Sequence, residues 1–164
     1  ARKDSFRPTV RIQGTPSGAA SAADGTGSFQ VLGITVRVDA LTEWSSSGGS
    51  TLSLATLGTG PVRVRGQLAR DGKSVVATRV DGTGDDRPIL QGPVSSKDAA
   101  ARTLVVLGVT IQATDRTELS GTTIAAFLDA VVPGTTVVKA RGKDAAAFAG
   151  ATLVADQLEI ENAP

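Results

Sequence analysis

The chain has no cysteine, histidine, methionine or tyrosine, and its only aromatic side chains are Phe6, Phe29, Phe127, Phe148 and Trp44. These gaps remove disulfides, thiolate nucleophiles, imidazole bases and every soft or imidazole metal ligand. Nothing in what remains calls for a cofactor. With so few rings the core has to be built from Val, Leu, Ile and Ala, and single-stranded nucleic acid, which binds by stacking on exposed aromatics, is disfavoured as a partner. No run approaches the ~18 apolar residues that a membrane-spanning helix needs. Without an initiator methionine, a chain that opens on Ala1 has the start that signal-peptide cleavage after small residues leaves. Export to the periplasm, cell surface or exterior is the expectation.

What is present is a sequence written twice. Val31-Leu32-Gly33-Ile34-Thr35-Val36 returns as Val106-Leu107-Gly108-Val109-Thr110-Ile111, and Thr42-Glu43 returns as Thr117-Glu118. Gly14 matches Gly92, Gly66 matches Gly142 and Ala77 matches Ala155, at offsets of 76 to 78 residues. A period this long is a domain and not a solenoid turn. The 164 residues therefore divide into a flexible N-terminal segment (1–9), a first copy (10–81), a linker (82–88) and a second copy (89–161). The net charge of +1 hides an asymmetry: residues 1–82 carry ten Lys/Arg against six Asp/Glu, residues 83–164 seven against ten. Basic and acidic halves can attract head to tail.

Local patterns give each copy its elements. Val10-Arg11-Ile12-Gln13-Gly14 alternates as a strand does, Thr15 to Gly27 reads as a loop, and Ser28–Leu32 and Ile34–Val38 read as strands meeting at Gly33. A glycine kept at this step in both copies suggests a sharp bend such as a barrel corner. Ile124, Phe127, Leu128 and Val131 have the spacing of a helix face, with Thr122 or Thr123 as cap and Pro133-Gly134 as stop. The apolar patch Thr51–Leu57 is its counterpart in the first copy. Pro61 to Gly66 alternates strictly, and Asp71-Gly72 turns the chain into Ser74–Asp81. Thr136–Gly142, a looser turn at Asp144–Gly150, and Thr152–Glu161 repeat that hairpin. The expected fold class is all-β with short helices: two tandem five-stranded OB-like small barrels, one short helix each, closing around separate aliphatic interiors; an open five-stranded sheet or sandwich half satisfies the same strings.

The strings Gln30 to Asp39, Val62 to Gly66 and Val76 to Val80 resemble the bacterial domain-of-unknown-function family numbered 5666, whose members look like short β-rich units, often in tandem and commonly in exported proteins. The second copy keeps the Val-Leu-Gly step but departs from the Asp-Gly hairpin across Lys143–Ala151. The resemblance spans about residues 10 to 161. It implies fold and export, and it brings no catalytic or ligand-binding residue with it.

Candidate chemistry is sparse. Gly66 to Ser74 fails as a phosphate-binding loop, having five residues between its glycines and a strand after it. Asp81, Asp85 and Asp86 could offer oxygens to a cation, although their spacing fits no calcium loop and a turn-forming linker accounts for them. Arg37, Arg63 and Arg65 could make a basic strip, with Trp44 beside a Ser/Gly loop as an exposed contact and Phe29 in the core. Glu43 and Glu118 are the one carboxylate pair the duplication offers, and equivalent places in separate units suit structure better than acid–base work. The reading that follows is a non-enzymatic, exported structural or interaction module, self-assembling through its basic and acidic halves or through strand addition by Ala1–Thr9. Its partner is itself or another exported protein. The alternative is a module that takes carbohydrate, polymer or single-stranded nucleic acid on a barrel face near Trp44.

Overall fold

A computed structural model describes residues 9–21, 26–45, 53–57, 60–119 and 121–161. The expected strand role of residues 1–8, most of the Ser45–Ser50 loop and the start of the Thr51–Leu57 patch lie outside these. The first half carries β1 (Thr9–Gly14), β2 (Ser17–Ser21), β3 (Gly27–Val31), β4 (Ile34–Val38), β5 (Glu43–Ser45), β6 (Val62–Leu68) and β7 (Val75–Gly82). The second carries β8 (Ile89–Asp98), β9 (Thr103–Val106), β10 (Val109–Gln112), β11 (Glu118–Leu119), the helix α1 (Ile124–Ala130), β12 (Val137–Arg141), β13 (Phe148–Ala149), β14 (Thr152–Val154) and β15 (Gln157–Ile160). The protein is mostly β, and among the described residues it has this one helix and a single 3-10 turn at Ala145–Ala147.

Both halves pair their strands by the same rule. In the first, β2 runs antiparallel to β3, β3 to β4, β4 parallel to β7, β7 antiparallel to β6, and β6 antiparallel to β1, the strand that leads into β2. In the second, the later part of β8 pairs β9, β9 pairs β10, β10 runs parallel to β14, and β15 pairs β12, which pairs the earlier part of β8. The short strands β5 and β11 lie parallel to β7 and β15.

The halves do not have separate interiors. β1 also pairs β8, with Arg11 opposite Gln91, Ile12 opposite Leu90 and Gln13 opposite Ile89. The offset that takes Gly14 to Gly92 takes Ile12 to Leu90, Arg11 to Ile89 and Gln13 to Gln91. Each outer pair of the junction therefore maps onto the other, and a local twofold axis passes between Ile12 and Leu90. Equivalent strands meeting antiparallel is the geometry of a homodimer interface, here built into one chain. Val10, Ile12 and Leu90 are all completely buried, and the core runs unbroken from one half to the other. Burying an aliphatic side chain of this size contributes about 1.5–3 kcal/mol, so the junction is held by packing as well as by its ladder. The expectation of two closed interiors failed because each small unit exposes β1 as an unpaired edge, and its twin supplies the missing neighbour.

The repeated strings now have physical causes. Leu32 (φ 54°) and Gly33 (φ 74°) form a two-residue loop between paired Val31 and Ile34, and Leu107 (φ 51°) and Gly108 (φ 80°) do the same in the second half. Two successive positive φ values are what a type I′ hairpin turn requires. The shared glycine thus makes a hairpin, and not the barrel corner its retention suggested. Holding leucine left-handed costs about 1–2 kcal/mol. The return is packing: a Cβ on Gly14 would sit 3.1 Å from Val31 Cγ1 and 3.2 Å from Leu32 Cδ2, and one on Gly92 would sit 3.1 Å from Val106 Cγ1. Each hairpin tip therefore folds down onto the glycine that ends the straight part of the first strand. Gly66 has a simpler constraint, since a Cβ there would lie 2.2 Å from the Val76 carbonyl oxygen.

Thr42 and Thr117 tie a second pair of turns. The Thr42 hydroxyl donates to the Ala77 carbonyl (2.9 Å) and accepts from the Asp39 amide (3.0 Å). Thr117 donates to Ala155 (2.7 Å) and accepts from Thr114 (2.8 Å). The matched Thr and Ala of the two copies are thus the two ends of one hydrogen bond.

Two local expectations change. The stretch read as a loop from Thr15 to Gly27 contains β2, every residue of which is exposed. A strand with no buried face leaves no alternation to read. Among the described residues only the second half shows a helix: α1 is capped by Thr123, whose hydroxyl accepts from the Ala126 amide (3.1 Å), and Lys97 Nζ donates to the carbonyls of Leu128 and Val131 at its other end (both 2.7 Å). In the first half Ser53–Leu57 makes a turn, with the Ser53 amide donating to Thr56 Oγ1 (2.9 Å). Replacing Thr42 or Thr117 by valine keeps the shape and removes the hydroxyl from a buried bond to a carbonyl and a part-buried bond from an amide. Each variant is expected to lose about 1–3 kcal/mol in urea denaturation, with equal effects at the two sites.

Candidate functional site

The junction of the halves brings basic side chains together on one sheet face. On a strand, residues two apart share a face, and residues opposite each other on neighbouring strands are side by side. Following the register across β15, β12, β8, β1, β6, β7 and β5 gives one row: Glu159, Lys139, Gln91, Arg11, Arg65, Arg79, Glu43. The next row on the same face is Gln157, Arg141, Ile89, Gln13, Arg63, Asp81, Ser45. Six cations occupy the middle of this face and the carboxylates stand toward its edges. A cavity of about 400 Å³ opens there, lined by Arg11, Arg63, Arg65, Arg79, Lys139 and Asp81 among others. That volume falls within the range of small-molecule sites.

The cations are held differently. Arg79 donates to Asp81 Oδ1 (2.8 Å) and Glu43 Oε1 (3.3 Å), so its charge is answered from within the protein. Asp81 is also bonded by the Ser45 hydroxyl. Arg63 Nε donates to Gln13 Oε1 (3.0 Å), and Gln13, almost wholly buried, donates its own Nε2 to the Arg87 carbonyl (2.9 Å). Gln13 therefore anchors Arg63 through an uncharged acceptor. Arg11 and Arg65 are exposed, and among the described residues neither guanidinium has a hydrogen bond or ion pair. Burial followed by the charge of Glu159 pushes the Glu161 carboxyl above its usual range, against the opposing charges of Lys139 and Arg11.

Of the residues singled out from sequence, Arg63 and Arg65 belong to this face, and Asp81 lines it as the partner of Arg79. Arg37 does not belong. It stands at the Asp71 turn, donating to Ser74 Oγ (3.1 Å) and Asp71 Oδ2 (3.4 Å). Trp44 is half-buried, with its ring 6.4 Å from that of the fully buried Phe29 at 43°, so it packs on the core where an exposed contact was expected. Asp85 is bonded to Arg87 (2.7 Å), and Asp86 is exposed. Among the described residues no three acidic groups come close enough to hold a metal ion, so Asp81, Asp85 and Asp86 do not form the cation site considered for them. Glu43 is engaged with Arg79, and Glu118 is exposed on β11. Sequence reasoning missed Arg11, Arg79, Lys139 and Arg141. The available signal was their phase: each occupies an outward position in an alternating strand, as Arg63 and Arg65 do.

A family model described as a domain of unknown function, DUF5666, matches residues 17–81 and again residues 91–159. No curated protein and no solved structure matches the chain.

The Asp71 turn makes a pH prediction. Backbone amides of Lys73 (2.8 Å) and Ser74 (2.9 Å), then the Ser74 hydroxyl and the charge of Arg37, hold the Asp71 carboxyl well below the usual carboxylate range. A depressed carboxyl contributes stability that is present above its unfolded value, about 3.9, and is lost as pH falls through the folded value. The melting-temperature gap between the native chain and Asp71→Asn is expected to be open at neutral pH and to close on acidification below that value. A gap that does not change with pH contradicts this role.

Proposed function

The chain belongs to the DUF5666 family, once in each half, and on that premise we propose that it is a non-enzymatic, exported interaction module built from two OB-like five-stranded barrels fused along equivalent strands. The parallel pairing of β4 with β7, and the return of β6 to β1, support the OB-like reading of each half. The complete lack of histidine and cysteine supports a binding role over catalysis.

One observation carries the interaction role. The two domains of this chain are joined by strand-edge pairing, β1 on β8, and the strand path ends in two further edges: among the described residues β2 pairs only with β3, and β13 only with β14. Edges left open at the two ends of one sheet let a second copy add in the same manner, head to tail, and an association that does not close on itself grows into a filament. The charge difference between the halves favours the same polarity of addition.

Sedimentation velocity over a wide concentration range, with negative-stain microscopy, tests the proposal. Oligomers that lengthen with concentration are expected, and Ala19→Lys combined with Ala149→Lys, which places charge on both edges, should return the protein to monomer. A native chain that stays monomeric throughout, or assembly indifferent to the edge substitutions, contradicts the proposal.

A further inference from the structure

We propose that the cavity on the junction face binds a small ligand through a tetrahedral oxyanion, a phosphate or sulfate group, held chiefly between Arg11 and Arg65. The two residues stand directly opposite each other on β1 and β6, and both line the cavity. Like charges opposite one another on a sheet destabilise it. The protein binds the neighbouring Arg79 to two carboxylates, whereas among the described residues the guanidinium groups of Arg11 and Arg65 make no hydrogen bond or close ion pair, Arg11 feeling only the charge of Glu161. Two adjacent guanidinium forks without a bound acceptor, with Lys139 also on the lining, make a site suited to an added anion.

The chemistry of the lining selects among anions. A carboxylate has two oxygens, and one arginine fork satisfies both. A phosphate or sulfate ester presents three non-bridging oxygens, enough to serve two forks and an ammonium. Arg63 is preset at the rim, since its Nε is fixed by buried Gln13, and Asp81 keeps a carboxylate on the lining that can accept from a ligand hydroxyl. Among the described residues no aromatic side chain lines the cavity, so none of them offers a nucleic-acid base a ring to stack upon. The site also depends on the fusion of the copies, because Arg11 and Arg65 come from one half and Lys139 from the other.

Calorimetric titration of the full chain at low salt tests the inference, with inorganic phosphate, sulfate and tripolyphosphate as probes and citrate as the carboxylate comparison. Binding of at least one tetrahedral probe is expected, and which of phosphate or sulfate binds tighter identifies the kind of ester. Arg11→Gln and Arg65→Gln are each expected to weaken it by about tenfold, equivalent to 1.4 kcal/mol. Arg65→Lys, which keeps the charge and loses the fork, should fall between. Arg70→Gln, at an exposed turn away from the cavity, should bind as the native chain does. The substituted side chains are exposed and Arg11→Gln or Arg65→Gln relieves a like-charge pair, so the variants should melt no lower than the native chain. The inference is overturned if no tetrahedral probe binds, if citrate binds as tightly, or if Arg11→Gln and Arg65→Gln bind no worse than Arg70→Gln.

Discussion

Ile12 and Leu90 face each other across a ladder between two strands that are copies of one another, and most of what is distinctive in this protein depends on that contact. A unit of roughly 75 to 80 residues buries only about 60% of its unfolded surface, and an open β1 would add an exposed edge to that weakness. Pairing β1 with β8 covers both edges at once and joins the aliphatic cores. Because the partner is on the same chain, the pairing costs loop closure and not the full loss of translational freedom that a dimer incurs. The linker region is correspondingly ordered: the Arg87 carbonyl accepts from Gln13, and the Pro88 carbonyl accepts from the Gly142 amide (2.8 Å).

The same contact shapes the outer surface. Side chains on the buried side of β1 and β8 form the shared core, so their alternate residues fall together on the other side, beside those of β6 and β12. Strands that would carry two basic residues each on separate modules become a single cationic field. Fusion thus creates a cavity that neither half has alone, with Gln13 serving both the interior and the rim.

Much of the fold was legible because the duplication let each half check the other. Val-Leu-Gly marks a turn whose leucine must cover Gly14 or Gly92, and the matched Thr42/Ala77 and Thr117/Ala155 are bonded pairs. Constraints of this kind lie within one half and leave a trace at fixed spacing. What escaped was of two sorts. β2 lay hidden because Ser17–Ser21 buries nothing, so its pairing is backbone alone. The junction lay hidden because residue identity at Ile12 and Leu90 says that they are buried without saying against what. Arg63 and Arg65 could be named from their own alternating string, whereas Arg11 and Lys139 join them only through pairing between halves. Trp44 was misplaced for a related reason: its neighbours in sequence are Ser and Gly, while its neighbour in space is Phe29.

The absence of cysteine from the chain makes the junction directly measurable. Opposed residues of an antiparallel pair have Cα atoms about 4.5–5.5 Å apart, inside the span a disulfide bridges. Arg11→Cys combined with Gln91→Cys places the chain's only two thiols across the β1–β8 ladder. On oxidation the account predicts a monomeric chain in which both thiols are consumed by one internal disulfide, melting cooperatively and no lower than the reduced form. Thiols that stay free, or that react only between molecules, would contradict it.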